Sequence, residues 1–94
     1  MIAPPEQGIV PDAWILMEYD EKVFILADLG CSWRRSTAIE KLNCRDSSAV
    51  VATTHSGSTY ILDRLDESIT YEMRNKLKSL IKSGAKIIKL EGLI

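Results

Sequence analysis

The chain is poor in the residues that would announce a chemistry. Among 94 residues there are two cysteines, one histidine, five glycines and three prolines. Two cysteines do not make a disulfide scaffold. One histidine and two scattered cysteines fall short of the four closed ligands of a structural zinc site. No Gly-x-Ser-x-Gly elbow, Gly-rich phosphate loop, helix-turn-helix or RNA-binding aromatic signature is present. No cofactor or metal is therefore implied. No apolar run is long enough to cross a bilayer. The opening Met1-Ile2-Ala3-Pro4-Pro5-Glu6 has neither a basic n-region nor an apolar h-region. The expectation is a cytoplasmic protein with reduced thiols and no membrane contact.

What is present is the composition of one globular domain: 46% hydrophobic and 27% charged residues. The net charge of −1 conceals an asymmetry. Residues 1–28 hold six carboxylates against Lys22 alone, and the rest of the chain is mildly basic. Such halves attract one another within a fold or present faces of opposite sign to partners.

All three prolines (Pro4, Pro5, Pro11) fall within residues 1–12, which read as an irregular arm. A single domain is expected over 13–94. Ala13–Tyr19 and Val23–Ala27 are short, continuously apolar runs around the polar turn Asp20-Glu21-Lys22, the pattern of a hairpin of interior strands. A third strand is read over Thr37–Asn43. Ala49–Thr54 and Ser58–Leu62 form a further hairpin, with Gly57 free to take the positive φ of its reversal. Val50, Ala52 and Thr54 point one way along it, and Val51 and Thr53 the other.

The period then changes. Leu65, Ile69, Met73, Leu77, Leu80 and Ile81 fall on one face of a helix expected over about 67–83. Asp66 is its expected N-cap and Gly84 its C′ residue. Lys86–Leu90 reads as a short last strand or an extended tail. The fold class is α+β: a small curved antiparallel sheet of about five strands, read also as an open barrel, packed by one C-terminal amphipathic helix.

The candidate contact residues are Trp33, Arg34, Arg35, His55 and Tyr60, with the acidic turn Asp20-Glu21 second. Arginine beside an exposed aromatic recurs in protein interfaces and nucleic-acid binders. The plainer reading packs Trp33 at the core edge and leaves both arginines solvated. His55 sits among Ser56, Gly57 and Ser58, where a turn residue normally faces solvent; catalysis would require a carboxylate behind its ring. Cys31 and Cys44 would pair only if the chain between them folds back.

Val23-Phe24-Ile25-Leu26-Ala27, Trp33-Arg34-Arg35-Ser36-Thr37, and the hairpin with Thr54, Ser58 and Tyr60-Ile61-Leu62 resemble a family of small β-rich bacterial proteins met among prophage and accessory genes. The likeness spans residues 23–62 and stops short of the Lys-rich helix. It implies a compact β-domain of mobile-element origin and transfers no catalytic residue. The resulting expectation is a non-enzymatic protein-binding module, an inhibitor of a host system in the manner of anti-CRISPR and other anti-defence proteins, acting on a host or phage protein. The alternatives are a small β-barrel nucleic-acid-binding module and a small enzyme or ligand carrier centred on His55. A homodimer is expected from apolar Ile87-Ile88 and Leu93-Ile94 and from the open edge of a small sheet.

Overall fold

A computed structural model describes residues 8–30 and 32–92. The hairpin of β1 (Ala13–Tyr19) and β2 (Lys22–Asp28) lies at its centre, paired in register from Tyr19↔Lys22 to Ala13↔Asp28. Alternate side chains of a strand point to opposite faces, so a strand apolar at every position must be covered on both. That is the arrangement here. Ile15, Met17, Phe24 and Leu26 face the helix α1 (Tyr71–Lys82), where they meet Met73, Leu77 and Leu80. Trp14, Leu16, Ile25 and Ala27 face a second sheet, where they meet Val50, Ala52, Tyr60 and Leu62. Helix, sheet and sheet form three layers with the hairpin in the middle. Trp14, Leu16, Met17, Ile25 and Leu26 are wholly buried. Each such side chain contributes about 1.5–3 kcal/mol relative to exposure.

The α+β class, the antiparallel pairing and the single C-terminal helix agree with the sequence reading. The strands are more numerous and divide between two sheets. Among the described residues the first sheet runs β3-β2-β1-β7 and the second β4-β5-β6, with no closed barrel. The strand expected over Thr37–Asn43 is β4 (Ile39–Cys44), on the second sheet; β3 (Trp33–Arg35), on the first sheet, precedes it and is an additional strand. Ser36 makes the crossing. Its amide donates to the Ile25 carbonyl at 2.8 Å, and its hydroxyl accepts from the Ile25 amide at 2.8 Å. A side-chain oxygen thus replaces the carbonyl that would continue β3, and the backbone is free to leave the sheet.

The β5 (Ala49–Thr54) and β6 (Thr59–Asp63) hairpin forms as expected, with Gly57 at φ +91°. Val50, Ala52 and Thr54 face inward. Ile9, in the N-terminal arm, pairs with β6 through Thr59 and Ile61. Residues 1–7 of that arm lie outside the described residues, as do Cys31, Leu93 and Ile94.

The β1–β2 connection is tighter than the three-residue turn expected. Lys22 pairs with Tyr19, and Asp20 and Glu21 alone make the reversal at φ +54° and +66°. Two successive positive φ values match the twist of a two-residue hairpin and are favoured by Asn-Gly rather than Asp-Glu. Glu21 has no glycine's freedom, so the turn holds strain of about 1–2 kcal/mol.

The helix begins later than expected. Residues 64–66 form a 3-10 turn capped by Asp63, whose carboxylate accepts from the Leu65 amide at 2.9 Å. Trp14 holds the segment: its indole N–H donates to the Asp63 carbonyl, and its own carbonyl accepts from the Ser68 amide. These bonds take the chain away from α1, which leaves Leu65 exposed and Ile69 partly so, although both fit the helical period. Thr70, not Asp66, is the N-cap. The far end matches its reading. Gly84, at φ +108°, donates to the Ile81 carbonyl and Ala85 to that of Leu80, a Schellman ending. Chain reversal there delivers β7 (Lys86–Ile88) onto the free edge of β1.

Asp28 ties the start of the helix to the hairpin. Its carboxylate is buried and accepts from the Thr70 hydroxyl at 2.6 Å and from the Gly30 amide at 2.8 Å. These bonds, Thr70 first, hold its pKa below the ordinary carboxylate value against the opposing effect of burial. A carboxylate depressed on folding stabilises above its unfolded value, about 4, and that contribution is lost as pH falls through the folded value. Asp28→Asn should therefore cost about 1–2 kcal/mol at neutral pH. Urea midpoints measured across acidic pH should fall more steeply for wild type than for the variant; parallel curves would contradict the assignment.

Candidate functional site

The sequence-derived candidates do not form one surface. Tyr60 offers no contact surface, because it is fully buried in the inter-sheet core. Its register partner is Ala52, and both point inward. That pairing was the available signal: a residue opposite Ala52 shares the face of Val50, Ala52 and Thr54. Arg34 also points to the inter-sheet side, since it pairs with Ala27 while Trp33 and Arg35 pair with Asp28 and Leu26. Burial raises the Tyr60 pKa, and the charge of Arg34 opposes this more weakly.

His55 lies at the β5–β6 turn with a partner that sequence reading missed. Its Nδ1 is 2.9 Å from the Glu40 Oε2. The pairing register shifts between Ile39 and Lys41, so Glu40 is the extra residue of a bulge in the edge strand β4, and the bulge redirects its side chain. Hydroxyls gather beside this pair. Thr37 donates to Ser56 Oγ at 3.1 Å, and Thr54 Oγ1 lies 3.2 Å from the same atom. An acid-oriented imidazole near a serine has two parts of a nucleophilic site. It lacks walls, since His55 and Glu40 are 75% and 57% exposed. The pair is open to water, and a developing charge on it would find little preorganised low-dielectric surround. The Ser56 hydroxyl is engaged by Thr37 and Thr54.

The other cluster is built around Arg35. The edge strand β3 carries Trp33 and Arg35 on the helix side of the first sheet. The Arg35 guanidinium carbon lies 4.4 Å from the centroid of Phe24. The Lys76 ammonium, from α1, lies 5.2 Å from the centroid of Trp33. Each cation is held over an aromatic face, which limits its rotamers. Trp33 remains 42% exposed. Trp33 is thus a half-exposed platform at the sheet edge, under a lysine brought from 43 positions further along the chain. Among the described residues Arg35 has no carboxylate within salt-bridge distance.

Two clefts open beside Arg35. One, of about 260 Å³, lies between α1 and β2 and is lined by Tyr19, Phe24, Arg35, Lys76, Ser79 and Ser83 among others. The second, of about 400 Å³, shares Tyr19, Phe24 and Arg35 and extends to Asp20, Lys22 and Thr37. The acidic turn therefore forms a rim of this region through Asp20, while Glu21 stands in solvent.

Among the described residues no three His, Cys, Asp or Glu side chains converge as metal ligands, and no helix is long and apolar enough to cross a membrane. Cys44 is exposed at the end of β4; its pairing with Cys31 concerns a residue outside the description. No protein-family model, curated protein or solved structure matches the chain.

The Tyr60 hydroxyl has no hydrogen-bond partner among the described residues. Removing an unpaired buried polar atom relieves its desolvation cost, so Tyr60→Phe should leave the unfolding free energy unchanged or raise it by up to about 1 kcal/mol. Chemical denaturation measures this. A loss of more than about 1 kcal/mol would mean that the hydroxyl contributes a bond to the fold.

Proposed function

We propose that this chain is a non-enzymatic protein-binding module, an inhibitor or adaptor that acts by occupying an acidic surface of its partner. The observation that carries the reading is the pair of cation–aromatic stacks on one side of β3 and α1. Arg35 lies over Phe24 and Lys76 over half-exposed Trp33, beside open clefts and without a carboxylate partner for Arg35 among the described residues. Interface energy concentrates in tryptophan and arginine held in place before contact. A stack on a rigid sheet reduces the ordering cost of association. The unpaired charges select carboxylates on the partner and set the encounter rate.

The face is formed by side chains at an edge, so substitutions there should spare the core. Immobilised wild type and Trp33→Ala and Arg35→Ala variants, exposed to the same lysate, should differ by at least one stoichiometric protein retained only by wild type. The variants should melt close to wild type. Identical retained sets, or stoichiometric capture by none of the three, would contradict the reading.

A further inference from the structure

We infer that the cleft between α1 and the β1–β2 hairpin binds a single carboxylate attached to an apolar or aromatic residue, as in an acidic peptide segment. This deepens, and rests on, the protein-binding reading of the neighbouring face.

The chemistry of the cleft is two-sided. One wall is apolar: Phe24, buried Leu80 and the ring of Tyr19, which is 45% exposed. The other is cationic and hydroxylic, formed by Arg35, Lys76, Ser79 and Ser83. The Arg35 guanidinium carbon lies 4.4 Å from the centroid of Phe24, and no carboxylate among the described residues pairs with the group. A guanidinium presents a planar fork that matches a carboxylate with two parallel hydrogen bonds. The Ser83 hydroxyl is committed to the Ser79 carbonyl at 3.1 Å, whereas the Ser79 hydroxyl donates to no described residue. A volume of about 260 Å³ is that of a side chain rather than a cofactor, and the adjoining cleft of about 400 Å³ continues past Arg35 for a second residue.

The position on α1 selects between anions. Ser79 and Ser83 lie at the C-terminal end of the helix, where backbone carbonyls carry partial negative charge. That field opposes a doubly charged phosphate more than a singly charged carboxylate. The apolar wall adds affinity for a residue that brings hydrocarbon with its charge.

The carboxylate has two sources in a peptide: an acidic side chain or a chain terminus. N-acetyl-phenylalanine carries the terminal group, and N-acetyl-aspartyl-phenylalanine amide carries only the side-chain group. N-acetyl-phenylalanine amide and inorganic phosphate serve as controls. Each is titrated into the full chain while amide and Arg35 Nε resonances are followed by NMR. Saturable shifts are expected at Phe24, Arg35, Ser79 and Ser83 with one or both carboxylates, at affinities of about 1 mM. The neutral amide and phosphate should bind at least about tenfold more weakly. Arg35→Gln should abolish the shifts while its spectrum remains that of the native fold, and Arg35→Lys should weaken them. No saturable shift, equal response to the neutral amide, preference for phosphate, or unchanged binding in folded Arg35→Gln would each overturn the inference. These probes contain no protein partner, so their failure removes the carboxylate site and leaves the Trp33 face to the capture comparison.

Discussion

Everything in this molecule depends on the burial of one hairpin from both sides. Between Ala13 and Asp28, β1 and β2 expose almost nothing except their turn. An isolated two-stranded hairpin is at best marginal in water, and one that is apolar on both faces would associate with itself. The fold supplies a helix for one face and a three-stranded sheet for the other. The remaining elements are placed by what that double cover requires. The chain leaves the first sheet at Ser36 to build the second, returns past Trp14, crosses the outer face as α1, and closes the β1 edge with β7.

The double cover also decides what is left for contact with other molecules. With β1 and β2 interior, the accessible parts of the first sheet are the edge strand β7, the rim where α1 meets β2, and the edge strand β3. Trp33 and Arg35 stand on the β3 edge, and Lys76 reaches it from the helix. A rigid buried hairpin supporting a short, charged edge is a sound base for recognition: the side chains are exposed while the backbone beneath them is fixed. The His55–Glu40 pair at the β5–β6 turn lacks enclosing walls. For that reason the functional reading centres on Arg35.

The parts of this arrangement that sequence makes legible are those governed by local period. The runs Trp14–Met17 and Phe24–Ala27 declare two-sided burial because neither alternates. Gly57 and Gly84 mark the positive-φ reversals they occupy, and Met73, Leu77 and Leu80 mark the buried stripe of α1. The parts that stay hidden depend on single long-range bonds. Leu65 and Ile69 extend the helical period backwards, yet bonds to Trp14, about 50 positions earlier, hold residues 63–68 outside the helix. One hydroxyl on Ser36 ends β3 on the first sheet before β4 begins on the second. The candidate site follows the same rule. Trp33 and Arg35 are visible as a motif, but Lys76 joins them, and Glu40 joins His55, only through tertiary packing and a bulge. Tyr60 is hidden because the hairpin is legible in the sequence without its register; Ala52 opposite fixes its face.

The central claim is that β1 and β2 are the last structure to open. Native-state hydrogen exchange under increasing denaturant tests it directly. Amides of Leu16, Met17, Ile25 and Leu26 should exchange only through global unfolding, with free energies equal to that of the whole molecule, while β3 and the outer strand β4 open at lower cost. If the β5–β6 sheet or α1 retained protection after the hairpin had lost it, the hairpin would not be the element on which the fold is built.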